Sequence, residues 1–402
     1  MPDDLWIIGI SMTKFRRYDD KDLIDLASEA ALAALDDADV TVKDIGVLAA
    51  GCLYEANAGV GQRLQKQIGQ TGIGVYNVAN ACATGATAFR VAAMAVKAGE
   101  ADIGLAVGVE QMGKRGLLGT TAPADRDKPF RPSGRYGAVG PIDGVLGTSL
   151  MPGTFAQSGM EYAYLHDGVG FEQFARVAEK NHAHSTLNPL AQYQKALSLE
   201  QVMSSEMIAY PNTLLMCCPT GDGAAVAVVT SSEKLKAMPG HVRRRAVKVS
   251  ASVMTSDPYV PGGTVQYDVN TLTRRAADLA YEAAGVAPSD LDLVELHDCF
   301  ATAELCHYDN LRLCPPGGAG EWIDKRGPWR DGEIPVNVSG GLLSKGHPLG
   351  ATGIANLYEV STQLRGEARD RQIDGATVGL THVIGLGSAC GVHILEKASA
   401  AT

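Results

Sequence analysis

Four residues stand where chemistry could be done: Cys82 in NACATGATAF, His297 and Cys299 in VELHDCF, and His347 in SKGHPLGATG. A free cysteine is ordinarily a small buried hydrophobe. Cys82, however, lies among Ala81, Ala83 and Gly85 at or just before the first turn of a helix read from about Thr84. Unpaired N–H groups and the positive end of the helix dipole favour an anion there. That setting is expected to lower the thiol's pKa and expose it, which makes an acyl-accepting nucleophile. His347, set between Gly346 and Pro348, sits on a rigid turn, where it either takes a proton from Cys82 and polarises a carbonyl or simply ties down the loop. His297 can donate into an oxyanion hole and Cys299, two residues on, can carry a proton, while Asp298 reads as a residue that orients the loop. The run GLGSACG at 385–391 reads less as a phosphate loop than as backbone passing near the pocket, with N–H groups available as oxyanion donors.

The other cysteines and histidines call for less. Cys52, Cys306, Cys314 and Cys390 are assigned to packing, and His182 and His184 to a solvated helix, since two histidines two apart do not face together. The eight cysteines contain no CxxC pair and no evident metal-ligand cluster, which fits reduced thiols in a cytosol rather than a disulfide framework or zinc site. A net charge of -10 argues against nucleic acid as a partner, and the one dense basic run, HVRRR at 241–245, reads as solvated surface. No segment reaches about 18 uninterrupted apolar residues, so no membrane span is expected, nor is a leader at MPDDLWIIGISMTKF or a peroxisomal address at KASAAT. The expected location is cytoplasmic.

The elements that must position these residues come in duplicate. Residues 27–51 and 273–297 share one plan of alanine-rich amphipathic helix, short polar link and apolar strand. VYNVANACATGATAF and IPVNVSGGLLSKGHPLGATG each run from a strand with Asn-Val through a loop into Gly-Ala-Thr opening a helix, and ADIGLAVGV pairs with ATVGLTHVI. Helices alternating with short apolar strands indicate an α/β protein whose mixed sheets are covered on both faces. Two such halves would pack about a pseudo-twofold axis. Residues 114–215 interrupt the pattern with Gly/Pro-rich loops and polar helical stretches, an insertion long enough to be a functional cap. Ligands in α/β sheets gather at the carboxyl ends of strands, where all four candidate residues fall, so packing the halves face to face would bring them together.

The set NACATGATAF, ELHDCFATAEL, SGGLLSKGHPLGATG and HVIGLGSACG resembles the thiolases, and among them the sterol-carrier-protein-type 3-oxoacyl-CoA thiolases. The likeness runs from WIIGISMTKF through CCPTGDGAAVAVV to VHILEK. It implies two βαβαβαββ halves in five αβαβα layers, the first built from 1–113 and 216–245 and the second from 246–402, with 114–215 as a loop domain that covers coenzyme A and substrate. Cys82 matches the acylated nucleophile and His347 its activator, which helps form one oxyanion hole with His297, placed where most thiolases carry asparagine. The N–H groups of Cys82 and Gly385 match the second oxyanion hole, and Cys218 and Pro219 match the pantetheine channel. One departure stands out: the Cys-x-Gly position of ordinary thiolases reads Val383-Ile384-Gly385, and the resemblance hands its acid/base role to Cys299.

The implied reaction is thiolysis of a 3-oxoacyl-CoA or the reverse Claisen condensation, with coenzyme A as substrate, no covalent cofactor and no metal. A homodimer or dimer of dimers is implied, as is a small OB-fold zinc-ribbon partner in some relatives. Losing the Cys-x-Gly cysteine leaves room for branched, aromatic or ring-bearing acyl groups. Three rival readings keep the fold: a decarboxylating ketoacyl synthase, a retro-aldolase working with the zinc-ribbon partner, and an idle subunit that binds acyl-CoA or lipid.

Overall fold

The computed structural model describes residues 4–113, 150–258 and 269–398. The Gly/Pro-rich stretch at 120–144 that opens the insertion lies outside them. The first half is β1 (Leu5–Met12), α1 (Leu23–Asp37), β2 (Val47–Gly51), α2 (Val60–Ile68), β3 (Gly74–Val78), α3 (Thr84–Lys97) and β4 (Ile103–Gln111). The insertion then supplies α4 (Leu150–Leu165), α5 (Phe171–Ser185) and a ribbon of β5 (Met207–Ala209) with β6 (Asn212–Thr213), before β7 (Asp222–Ser231) completes the half. The second half comprises β8 (Val247–Thr255), α6 (Val269–Ala284), β9 (Leu293–Glu295), α7 (Ala301–Asn310), α8 (Thr352–Arg365), β10 (Val378–Gly385) and β11 (Ala389–Lys397).

Strand order carries the duplication plainly. The sheet runs β3-β2-β4-β7-β1-β8-β11-β10-β9, and an isolated parallel bridge from Val294 to Val336 extends it by one position. Numbered within each half, this is 3-2-4-5-1 followed by its mirror, 1-5-4-2-3. The two halves are thus continuous arms of one sheet, joined where Leu5 and Ile7 of β1 face Val249 and Val247 of β8. Face-to-face packing is mediated by α3 and α8, which lie between the arms. Phe89, Ala92 and Val96 of α3 and Ile354, Leu357 and Val360 of α8 share one core with the inward faces of both arms. A second core buries α1, through Leu26, Ala27, Ala30 and Ala34, on the far face of the first arm, and a third buries α6 and α7 on the far face of the second. The five layers follow. β2 reads VLAAG with every residue buried, as a parallel strand covered on both sides must.

The two central helices touch through glycine. A Cβ on Gly353 would sit 2.3 Å from the Ala86 backbone nitrogen, and one on Gly85 would sit 2.7 Å from the Gly350 carbonyl oxygen. This also corrects the register of the repeat: both helices open on Ala-Thr-Gly, at Ala83-Thr84-Gly85 and Ala351-Thr352-Gly353, three residues from the Gly-Ala-Thr match visible in the sequence.

A second correction concerns α5. His182 and His184 are buried rather than solvated, at 3% and 4% exposure, together with Lys180 and Asn181. Polar residues can enter a core when each finds a partner, and these do. Lys180 Nζ pairs with Glu304 at 2.8 Å and donates to the Val336 carbonyl at 2.8 Å. His182 bonds Ser344 Oγ through Nδ1, and His184 bonds the Asn337 carbonyl through Nδ1 and accepts from the Arg330 N–H. α5 therefore anchors the insertion in the second half, directly behind the candidate site. HVRRR falls in a short helix, Gly240–Arg245, whose last arginine is only partly exposed and pairs with Asp37 and Glu367.

Candidate active site

β3 ends at Val78, and the chain turns sharply before α3. Ala81 takes a left-handed φ of 47°, unusual for a residue with a side chain, immediately before Cys82. Thr84 holds the turn: its hydroxyl accepts from the Asn80 N–H at 2.8 Å and donates to the Ala81 carbonyl at 2.6 Å. In the second half the equivalent connection carries His347. Thr352 holds that turn in the same manner, donating to the Pro348 carbonyl at 2.9 Å. Because that proton is committed, the Thr352 oxygen must accept from His347 Nδ1, 2.7 Å away. The network thus assigns the imidazole its tautomer. The proton sits on Nδ1, and Nε2, buried without a protein partner among the described residues, keeps a free lone pair.

The HDCF loop arrives from β9. Asp298 does orient it, accepting from the N–H groups of Leu342 (2.7 Å) and Leu343 (3.2 Å) and from Asn181 Nδ2 (2.8 Å). The His297 N–H donates to His382 Nδ1 at 3.4 Å. Cys217 and Phe300 form an antiparallel bridge, so Cys218 lies directly across from Cys299, with its N–H on the Cys299 carbonyl at 3.0 Å.

These pieces converge. Cys82 Sγ and one ring nitrogen of each of His297 and His347 lie within 4.8 Å of one another. The imidazoles meet edge to face with centroids 5.3 Å apart. All three, with Cys218 and Cys299, line a cavity of about 180 Å³ whose remaining wall is Leu53, Ala81, Met151, Phe155, Phe300, Leu349 and Leu386. Phe155 stacks on Phe300 with centroids 5.4 Å apart. Gly385 stands just behind the Cys82 turn: a Cβ there would lie 2.4 Å from the Asn80 carbonyl oxygen. Pro219 does not line the cavity, although its neighbour Cys218 does.

The electrostatics overturn one expectation. The helix start does not lower the Cys82 pKa; burial, followed by the charge of Glu110, pushes the thiol up to about 12. Burial likewise drives Cys299 up, assisted by the neighbouring Cys218 and Cys82 thiols. It drives His297 down to about 3, and His347 well below its ordinary value with help from His297 and Lys345. All four groups are therefore neutral at rest. A thiol beside a neutral imidazole with a free Nε2 becomes a thiolate by handing over its proton as it attacks, rather than by standing ionised.

Two members of this site are silent in the sequence: Thr352 sets a tautomer and Glu110 reaches both halves, and short segments contain no signal for either. Cys218, expected on the pantetheine path, also faces Cys299. The Cys82, His297 and His347 donors are also close enough together to hold a soft divalent ion, a cluster that spacing along the chain does not reveal.

Comparison with known proteins supplies the remaining context. Residues 5–197 match the model described as thiolase, N-terminal domain, and 266–397 that described as thiolase C-terminal domain-like. Sterol carrier protein 2 of Oryctolagus cuniculus is 39% identical over 399 residues, covering 98% of this chain and 72% of that protein. Benzoylsuccinyl-CoA thiolase subunit BbsB of Thauera aromatica is 33% identical, covering 95% of each. Among solved structures, the Ltp2-ChsH2(DUF35) aldolase aligns with a TM-score of 0.79 at 23% identity, covering 98% of each chain, a likeness of fold.

Proposed function

The chain belongs to the thiolase family and is an acyltransferase that uses coenzyme A, and from that premise we propose that it cleaves a 3-oxoacyl-CoA by thiolysis at Cys82. The observation that carries this reading is the meeting of Cys82, His297 and His347 within 4.8 Å in a cavity shared with Cys299. As Cys82 Sγ attacks the 3-keto carbon, its proton passes to His347 Nε2, and the tetrahedral oxyanion is met by N–H donors, those of Cys82 and Gly385 in this reading. The C2–C3 bond then breaks. Its electrons form the enolate of acetyl-CoA or of a 2-substituted acyl-CoA, steadied by His297 and His347, and Cys299 protonates C2. Free coenzyme A gives its thiol proton to the Cys299 thiolate and attacks the acyl group, and Cys82 departs with the proton held by His347. Run backwards, the steps are a Claisen condensation.

We take the acyl group to be bulky, and the cavity supports a single ring or short branched chain over a fused-ring steroid. An apolar cavity of about 150 Å³ accommodates benzene; about 180 Å³ walled by leucines and a stacked phenylalanine pair is of that order. Residues 114–215 act in this reading as the cover of the site, with Cys218 and Pro219 on the pantetheine path. The edge strand β3 has no partner on its outer side among the described residues and leaves Tyr76 exposed, which supports a homodimer built by strand pairing.

The test is cleavage of straight-chain, branched, aryl and steroid-derived 3-oxoacyl-CoAs with and without coenzyme A, on the wild type beside Cys82→Ala and Cys299→Ala. Dependence on coenzyme A and on both thiols is expected, with the aryl or branched substrate turned over fastest. Cleavage that survives Cys299→Ala on a decarboxylating substrate would make it a synthase. Release of free aldehyde or ketone from a hydroxyacyl-CoA without coenzyme A would make it an aldolase.

A further inference from the structure

Glu110, near the end of β4, has no exposed surface. Its Oε1 accepts from the Cys52 thiol at 3.2 Å and the Tyr54 N–H at 3.1 Å, and its Oε2 from the Leu53 N–H at 2.9 Å and the Gly350 N–H at 3.2 Å. Every one of these partners donates and none is a cation. Burial raises the Glu110 pKa above its ordinary value, and the four donors on its two oxygens oppose this, fitting the acceptor-only ionised carboxylate.

The partners come from two loops in different halves. One follows β2 and brings Leu53 to the cavity wall; the other is the Gly346–Pro348 turn continued to Gly350, which brings His347 and Leu349. We propose that Glu110 is a positioning residue that clamps these two loops, one from each half, around Cys82. The proposal builds on the thiolase reading and adds to it the group that fixes the His347 loop of one half against the Leu53 wall of the other. A glutamine there offers one acceptor oxygen and turns an NH₂ toward two N–H donors, so the amide cannot replace the carboxylate. The carboxylate also acts on the nucleophile itself. It is the charged group whose field opposes the Cys82 thiolate, with Cys52 and, behind it, Glu55 the other titratable groups on that side. The carboxylate thereby adds to burial, the larger cause, in holding the resting thiol protonated until His347 takes the proton.

The test uses Glu110→Gln, Cys52→Ala and Cys52→Ser in the full chain. Steady-state thiolysis gives kcat and KM, and peptide mass spectrometry follows iodoacetamide alkylation of Cys82 against pH. For Glu110→Gln we expect kcat to fall about 100-fold at similar KM, the scale of a slightly misplaced catalytic group, and the alkylation profile to move to lower pH. For Cys52→Ala we expect about a fivefold loss of kcat, with Cys52→Ser, which keeps a donor, restored to wild type. A folded Glu110→Gln with kcat within threefold of wild type, or with an unmoved alkylation profile, overturns the proposal. If that variant does not fold, the Cys52 pair decides: alanine and serine both equal to wild type overturns it. If the wild type cleaves none of the acyl-CoAs, the thiolase reading fails, while the alkylation profiles still judge Glu110.

Discussion

Replacing Thr352 by valine keeps the shape of a fully buried side chain at the start of α8 and removes one oxygen. That oxygen is the acceptor of the His347 Nδ1 proton at 2.7 Å, and it imposes the tautomer that leaves Nε2 free to receive the Cys82 proton. Without it, a buried N–H loses its partner, at a cost of about 1–3 kcal/mol. The imidazole regains a partner only by turning or by moving its proton to Nε2, and either change withdraws the base. If the whole cost appears in the proton-transfer step, acylation of Cys82 slows by roughly 5- to 150-fold. The assay is single-turnover acetyl transfer from acetyl-CoA to Cys82, followed by released thiol and by the mass of the active-site peptide. Thr352→Ser retains the oxygen and should acylate at a near wild-type rate. KM should be unchanged in both variants, because Thr352 does not line the cavity. A valine variant that acylates within twofold of wild type would refute the assignment of the tautomer and of His347 Nε2 as the base.

Other expectations concern the remaining groups. Cys299→Ala should still form acyl-Cys82 but lose solvent-deuterium exchange at C2 of acetyl-CoA, readable by NMR; retained exchange would place the acid elsewhere. Lys180→Met strands Glu304 in the core and should reduce stability by about 3–5 kcal/mol in urea unfolding, since both members of the pair are fully buried. Seven histidines, 182, 184, 297, 307, 347, 382 and 393, are buried with folded pKa values below the ordinary 6.5. The unfolded chain therefore binds more protons below about pH 6.5, and each such imidazole subtracts up to about 1.4 kcal/mol per pH unit as the pH falls toward its folded value. Unfolding free energies measured at pH 7 and pH 5 should differ steeply, and a flat profile would contradict the burial. Zn²⁺ should inhibit reversibly by bridging Cys82, His297 and His347, with relief by a chelator; unchanged zinc affinity in Cys82→Ala, by calorimetry, would put the ion at another site.

Much of the site was legible because short motifs carried it. The Cys82 loop, the HDCF loop and the GHP loop are each encoded within a few residues at strand ends, and the duplication pairs the Cys82 loop with the GHP loop, while HDCF follows the counterpart of β2. What escaped is what depends on distance along the chain. Glu110 meets Gly350 across 240 positions, and nothing local to AVGVEQ announces it. His182 and His184 sit on a helix whose composition reads as solvated, because a residue's polarity is visible in sequence while the buried carbonyl or hydroxyl that satisfies it is not. The charge state of Cys82 was misjudged for a related reason. The helix start is a local feature, whereas the apolar walls and the Glu110 carboxylate that outweigh it arrive from elsewhere. Thr352 looked like a helix opener, and its second task appears only once the His347 ring is in place.

The mirrored strand order has a consequence for symmetry at the site. Cys82 and His347 occupy the same connection of the repeat, one in each copy, ahead of the same Ala-Thr-Gly helix start. Two identical chains associating about a true twofold axis would present the same residue from both sides, either a pair of nucleophiles or a pair of bases. With both copies in one chain each is free of the other's constraint, so one loop can carry a thiol and its twin an imidazole. A proton transfer between the two needs inequality at the centre, and two unlike copies in one chain supply it.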